Sequence, residues 1–165
     1  MLITRTWNDY WMTYRQDQKR SRPETAEQID FISWVRFNHP QIGKLLFHPV
    51  NEGQQLPQHR ISLIKQGMEA GVSDVIMLQS GYDHSAGVIE LKRDDRGSVS
   101  LDQKLMLIAC HEAGKFASVA YGCESAKAAF NDYMFGLDAD TRKTIIYKPM
   151  RNAPAKLPLK KGDLP

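Results

Sequence analysis

Two short runs rich in valine and isoleucine, "SDVIMLQ" (residues 73–79) and "AGVIELK" (86–92), stand on either side of the turn-forming "SGYDHSA". Runs of this length bounded by turn residues form neighbouring strands of a hairpin. No other feature of the chain narrows the fold as much. Side chains two residues apart share a strand face, so Glu90 and Lys92 project together while Ile89 and Leu91 point the other way. By spacing alone such a pair suits the solvent side of a half-exposed sheet. The flanks argue against that, because helices are expected on both sides of this strand in sequence and would cover the sheet. Asp74 opens the first run just after Gly71, and a hairpin would bring its carboxylate beside that of Glu90.

The helices follow from periodicity and end signals. In "SRPETAEQIDFISWVRFN" (21–38), Ser21 is a candidate N-cap, Pro23 falls in the first turn and Glu24 comes three residues after the cap. Phe31, Ile32 and Val35 share one face, and helical spacing brings Gln28 and Glu24 onto it. "LPQHRISLIKQGMEAG" predicts a short helix with Ile61, Leu63, Ile64 and Met68 inward, closed by Gly67 or Gly71. "SLDQKLMLIACHEAG" (100–114) predicts another, with Ser100 as cap, apolar residues at 101, 105, 108 and 109, and Gly114 as terminator. "KFASVAYG" reads as a strand, and "CESAKAAFNDYMFG" as a helix with Ala126, Ala129, Phe130 and Tyr133 inward. A short strand near Leu45–His48 and a turn at Asn51–Gly53 complete the core, giving an α/β fold with a small mixed β-sheet flanked by helices.

Residues 1–20 carry Trp7, Tyr10, Trp11 and Tyr14 at helical spacing, which predicts a helix docked on the core or on a second subunit ahead of base stacking. The expected organisation is an aromatic and basic N-terminal extension (1–20), a core (21–136), and a basic proline-containing tail (137–165). With 42% hydrophobic and 25% charged residues, the 165-residue chain suits one globular domain. A net charge of +3 permits nucleic-acid binding without requiring it. Cys110 and Cys123, expected in a helix and in the strand after it, have no CxxC spacing and read as reduced packing residues. No apolar run reaches the roughly 18 residues of a membrane span, and the N-terminus lacks the apolar stretch of a secretory signal, so the reading is cytoplasmic.

Converging Asp74, Glu90 and Glu24 would repel one another unless protons or a cation intervene. A hard divalent ion suits such oxygens, Mg²⁺ in particular, since two acids and a backbone carbonyl suffice to hold one. Lys92, on the same face as Glu90, could then orient the attacking water and stabilise charge building on a scissile phosphate. The run "GVSD", a hairpin, "IELK" and then "SLDQ" resembles the PD-(D/E)XK nuclease signature, specifically the VRR-NUC family. The likeness spans roughly residues 24–134 and includes the "ExxxQ" helix start (Glu24, Gln28), the Asn51–Gly53 turn, and Arg60 and Lys65 ahead of a glycine. Ser73 stands where that family has proline.

The resemblance implies a restriction-endonuclease-like core and a Mg²⁺- or Mn²⁺-dependent DNA endonuclease. Asp74, Glu90 and the Leu91 carbonyl would be metal ligands, with Glu24 the outer acid ahead of Glu27. Lys92 would be the catalytic lysine, and Gln103 a supporting polar group. Arg60, Lys65, Arg93, Arg96 and Gln28 are the candidate DNA contacts, joined by tail lysines Lys156, Lys160 and Lys161. Contacts of this kind read phosphates rather than sequence, so the substrate would be chosen by shape, such as a Holliday junction or other branched DNA. A homodimer is expected. The alternatives are a DNA-binding or assembly module without catalysis and a nickase working beside a helicase. None of the five histidines has transition-metal spacing, and His84, in the hairpin turn, is a candidate DNA contact.

Overall fold

A computed structural model describes residues 1–17, 22–50, 57–93, 97–152 and 154. In chain order the elements are β1 (Ile3–Trp7), β2 (Met12–Gln16), α1 (Glu24–Asn38), a 3-10 segment (Pro40–Leu45), β3 (Leu46–Phe47), α2 (Pro57–Lys65), β4 (Val75–Met77), β5 (Gly87–Lys92), α3 (Leu101–Glu112), β6 (Phe116–Tyr121), α4 (Cys123–Phe135), α5 (Ala139–Lys143) and β7 (Ile146–Tyr147). Among the described residues the strands form one sheet of order β3-β4-β5-β6-β2-β1-β7. The pairs β5/β6, β6/β2 and β1/β7 are parallel, and β3/β4, β4/β5 and β2/β1 are antiparallel. The expected mixed sheet flanked by helices is what forms.

Two apolar layers follow from strand alternation. Ile89, Leu91, Ala120 and Tyr14 face the side covered by α1 and α4, where Phe31, Val35, Ala126, Ala129, Phe130 and Tyr133 pack against them. Ala117, Val119 and Tyr121 face the other side, packed with Leu107 and Ile108 of α3. In α3 the buried residues are therefore Leu107 and Ile108, whereas Leu101 and Ala109, expected inward, are exposed. The outer half of α2 also departs from expectation. Ile61 and Ile64 are 57% and 54% exposed, with only Leu63 and Met68 half-buried. A positive φ at Gly67 ends that helical turn.

The N-terminal segment is not a helix and not an extension. It is an antiparallel hairpin inserted beside β6, with Trp7 opposite Met12 and Ile3 opposite Gln16. The helical spacing of its aromatics is produced by a turn. The Asn8 side chain accepts from the N–H groups of Tyr10 and Trp11, and Asp9 adopts φ 82°. Trp11 and Tyr14 end up buried in the chain's own core, so of the two expected seats, the core or a second subunit, these aromatics take the first, from strands rather than a helix.

Two boundaries move as well. The helix α1 begins at Glu24 after Pro23, without a side-chain cap, and Ser21 lies outside the described residues. At the other end the fold continues beyond 136. Asp138 caps α5 by accepting from Asp140 and Thr141 N–H groups, and β7 adds to the edge of β1. Cys123 is the first residue of α4 rather than part of a strand, and both cysteines are free.

Candidate active site

Glu90 lies in a strand with neighbours on both sides, and its side chain is fully buried. The register of β4 with β5 pairs Val75 with Ile89, so one position back Asp74 stands opposite Glu90 on the same face. A backbone bond supports the placement: the Leu91 N–H donates to Asp74 Oδ2 at 2.8 Å. Lys92, two residues along β5 from Glu90, donates from Nζ to Glu90 Oε1 at 2.8 Å, and that lysine is itself buried.

Gln103 reaches Glu90 from α3, the helix that covers this face of the sheet. At the start of α3 the Ser100 side chain accepts from the Gln103 N–H, and Gln103 Oε1 accepts in return from the Ser100 N–H at 2.9 Å. This reciprocal cap fixes the amide orientation. With its oxygen committed to the cap, the Gln103 amide nitrogen points outward and donates to Glu90 Oε1. Helix α3 is in turn seated on Gly71: at φ +75°, a Cβ there would stand 2.3 Å from the Asp102 carbonyl carbon.

The electrostatics follow from burial and crowding. Burial, and then the Asp74 carboxylate, push the Glu90 carboxyl up to about 8 despite the adjacent ammonium. Asp74 is also raised, chiefly by burial, against the opposing pull of the Leu91 N–H, Lys92 and His48. For Lys92, burial works against the charged form, but Glu90, Glu24 and Asp74 outweigh it and raise the lysine. While Glu90 Oε1 accepts from two donors, Glu90 Oε2 is buried with no hydrogen-bond partner. A buried carboxylate oxygen without a donor, facing a second acid, is the environment a cation would satisfy. Among the described residues no three acidic, histidine or cysteine side chains gather closely enough to hold an ion unaided. Backbone carbonyl and water oxygens would have to complete any shell.

Glu24, at the start of α1, accepts from the Arg93 N–H at 3.0 Å and acts on both Glu90 and Lys92 electrostatically. Glu27 is committed elsewhere, since its buried carboxylate accepts from the Cys123 N–H at 2.7 Å at the start of α4. Gln28 is half-buried one turn along α1. An open groove of about 430 Å³ lined by Pro23, Glu24, Arg93 and Gly97 borders the site.

Asp74, Glu90, Leu91, Lys92 and Gln103 are thus brought together, with Glu24 and Arg93 at the rim. Arg60 and Lys65 stand exposed on α2. Arg96, the Asn51–Gly53 turn and Lys156, Lys160 and Lys161 lie outside the described residues. His84 packs edge-on against Phe116, which neighbours the start of β5, whereas Lys92 ends that strand. One neighbour of the site was not anticipated. His48 Nδ1 lies 2.7 Å from the Asp74 carbonyl oxygen, to which it donates. The pairing of β3 with β4 brings it there, and no local signal in "FHPV" announces that pairing.

No protein-family model matches the sequence, and no curated protein does. Among solved structures, one described as a VRR_NUC domain protein superposes with a TM-score of 0.59 at 17% sequence identity. The match covers 78% of this chain and 95% of that one. At that identity the likeness shows the fold, which is of the VRR-NUC type. Among the described residues no helix is long and apolar enough to cross a membrane.

Proposed function

We propose that the chain is a metal-dependent DNA endonuclease that hydrolyses phosphodiester bonds and selects branched DNA such as four-way junctions. The observation that carries this reading is Glu90, buried opposite Asp74, with Oε1 held by Lys92 and Gln103 and Oε2 left without a donor. The likeness of the fold to a VRR_NUC domain protein agrees with it.

Asp74 and Glu90 would hold Mg²⁺ or Mn²⁺ together with the carbonyl of Leu91, whose N–H is turned toward Asp74. In a strand the carbonyl of a residue turns the same way as its N–H. Glu24 would act from the outer side. The ion would supply Lewis-acid stabilisation of the phosphate and an acidified water. The protein's own groups do the rest. Gln103 locks the Glu90 carboxylate in place, and Lys92 provides a positive charge that can orient the attacking water and offset charge building on phosphate. Arg93, at the mouth of the site, would meet the DNA backbone, and Arg60, Lys65, Arg96 and Gln28 would extend that contact in the same reading. A homodimer would let two symmetric sites cut two strands, to be checked by sedimentation.

The test compares four-way junctions, flaps and plain duplex with Mg²⁺ or Mn²⁺, using wild type, Asp74→Ala and Lys92→Ala. The expected outcome is cleavage by the wild type, strongest on junctions, with a loss of about a hundredfold or more in either variant. Cleavage surviving both substitutions would refute the site, and binding without cleavage of any substrate would point to a non-catalytic module.

A further inference from the structure

The face that carries Glu90 and Lys92 does not stop at β5. In register, Lys92 pairs with Tyr121 of β6, Tyr121 with Arg15 of β2, and Arg15 with Thr4 of β1. Paired residues on adjacent strands project from one face, so these four side chains form a single row leading away from the site. Helix α3 packs on β5 and β6. Beyond it, Thr4 is exposed and Thr13 and Arg15 are half-buried.

Arg15 is the unusual member. Its guanidinium carbon lies over the Tyr121 ring, 3.6 Å from the centroid, in cation–π contact with a residue that is only 6% exposed. Arg5 and Arg22, by contrast, are paired with carboxylates, Arg5 with Asp132 and Arg22 with Asp30. Among the described residues no carboxylate pairs with Arg15. That contact holds the guanidinium still while leaving its N–H edge for a planar or tetrahedral oxyanion, the preorganisation that makes arginine suited to phosphate.

We propose that this row seats the DNA strand as it leaves the cleavage site, with Arg15 clamping a backbone phosphate and the Thr4 and Thr13 hydroxyls offering further hydrogen bonds. The proposal rests on the nuclease reading of the Asp74–Glu90–Lys92 site. Two strand spacings put Arg15 roughly 10 Å from Lys92, close enough for phosphates of one strand to meet both. A strand following this row meets positive charge at Lys92 and Arg15.

Fluorescence anisotropy of the full chain with labelled duplex and four-way junction in EDTA, repeated across a salt series, tests it. Arg15→Ala is expected to weaken binding about tenfold and to reduce the slope of log affinity against log salt by about 0.9 on duplex. KM for cleavage should rise by a similar factor. Arg15→Lys keeps the charge without the guanidinium fork and should fall between the two. Thermal denaturation of each variant separates binding from folding. An Arg15→Ala protein that melts lower but binds with wild-type affinity and salt slope overturns the proposal, because Arg15 would then only cover Tyr121. If the wild type cuts DNA and Arg15→Ala is indistinguishable, this inference fails alone; a wild type that neither binds nor cuts DNA overturns it together with the nuclease reading.

Discussion

Glu90 is asked to be buried, to neighbour another acid and to stay in one orientation. Each demand has a measurable consequence. Its folded value of about 8 lies above the ordinary 4.5, so between the two the folded chain keeps a proton that the unfolded chain has released. Stability therefore falls as pH rises through that window and levels off above about 8, and Asp74, raised from 3.8, adds a slope of the same sign at the acid end. In EDTA the wild type should melt at progressively lower temperature from pH 5 to 8, and Glu90→Gln should flatten the profile. Millimolar Mg²⁺ at pH 8 should restore the wild-type melting temperature and leave Glu90→Gln unmoved; equal responses would remove the case for a cation at Glu90. At this scale the sequence was informative about which residues share a face. It could not show that Gln103 spends its oxygen on a helix cap and its nitrogen on Glu90, because that requires α3 to lie across β5.

The elements position these groups more than they decorate them. Helix α3 is held by its Ser100–Gln103 cap and by its close seat on Gly71. Ser100→Ala should cost about 1 kcal/mol and release the Gln103 amide, so cleavage should drop alongside the melting temperature. Gly71→Ala meets both a left-handed backbone and the Asp102 carbonyl, and should shift the start of α3. If Gly71→Ala retains wild-type stability and activity, the seat has no role. The helices α1 and α4 were legible because their apolar residues repeat at helical spacing and end at proline or glycine. The hairpin β4–β5 was legible because valine and isoleucine runs flank a turn. The hairpin β1–β2 was not, since Trp7, Tyr10, Trp11 and Tyr14 mimic a helical stripe once the Asn8–Asp9 turn is read as continuous chain.

At the scale of the molecule, the N-terminal hairpin joins the carboxylate-bearing half of the sheet to the β7 edge. It buries Trp11, Met12 and Tyr14, and the bidentate Arg5–Asp132 pair ties it to α4. A chain beginning at residue 18 should therefore fail to fold cooperatively, which circular dichroism and thermal denaturation would show; an unchanged melting curve would restore the view of this segment as an extension. In the core on the α1 and α4 side, Phe130 is fully buried against Phe31 and Trp34. Phe130→Ala should cost about 3–5 kcal/mol in chemical denaturation, without touching any group of the site.

What the sequence by itself determined is local. Strand alternation set Glu90 and Lys92 on one face, the turn after the first run set Asp74 near them, and apolar periodicity set the inner faces of α1 and α4. The tertiary structure alone decided what covers that face, because burial depends on what packs across a strand from far along the chain. It turned an ordinary charge pair into a buried acid pushed up to about 8, brought His48 to the Asp74 carbonyl, and laid Arg15 over Tyr121 in line with Lys92. Those contacts join residues separated by 26 and 106 positions, beyond the reach of any local pattern.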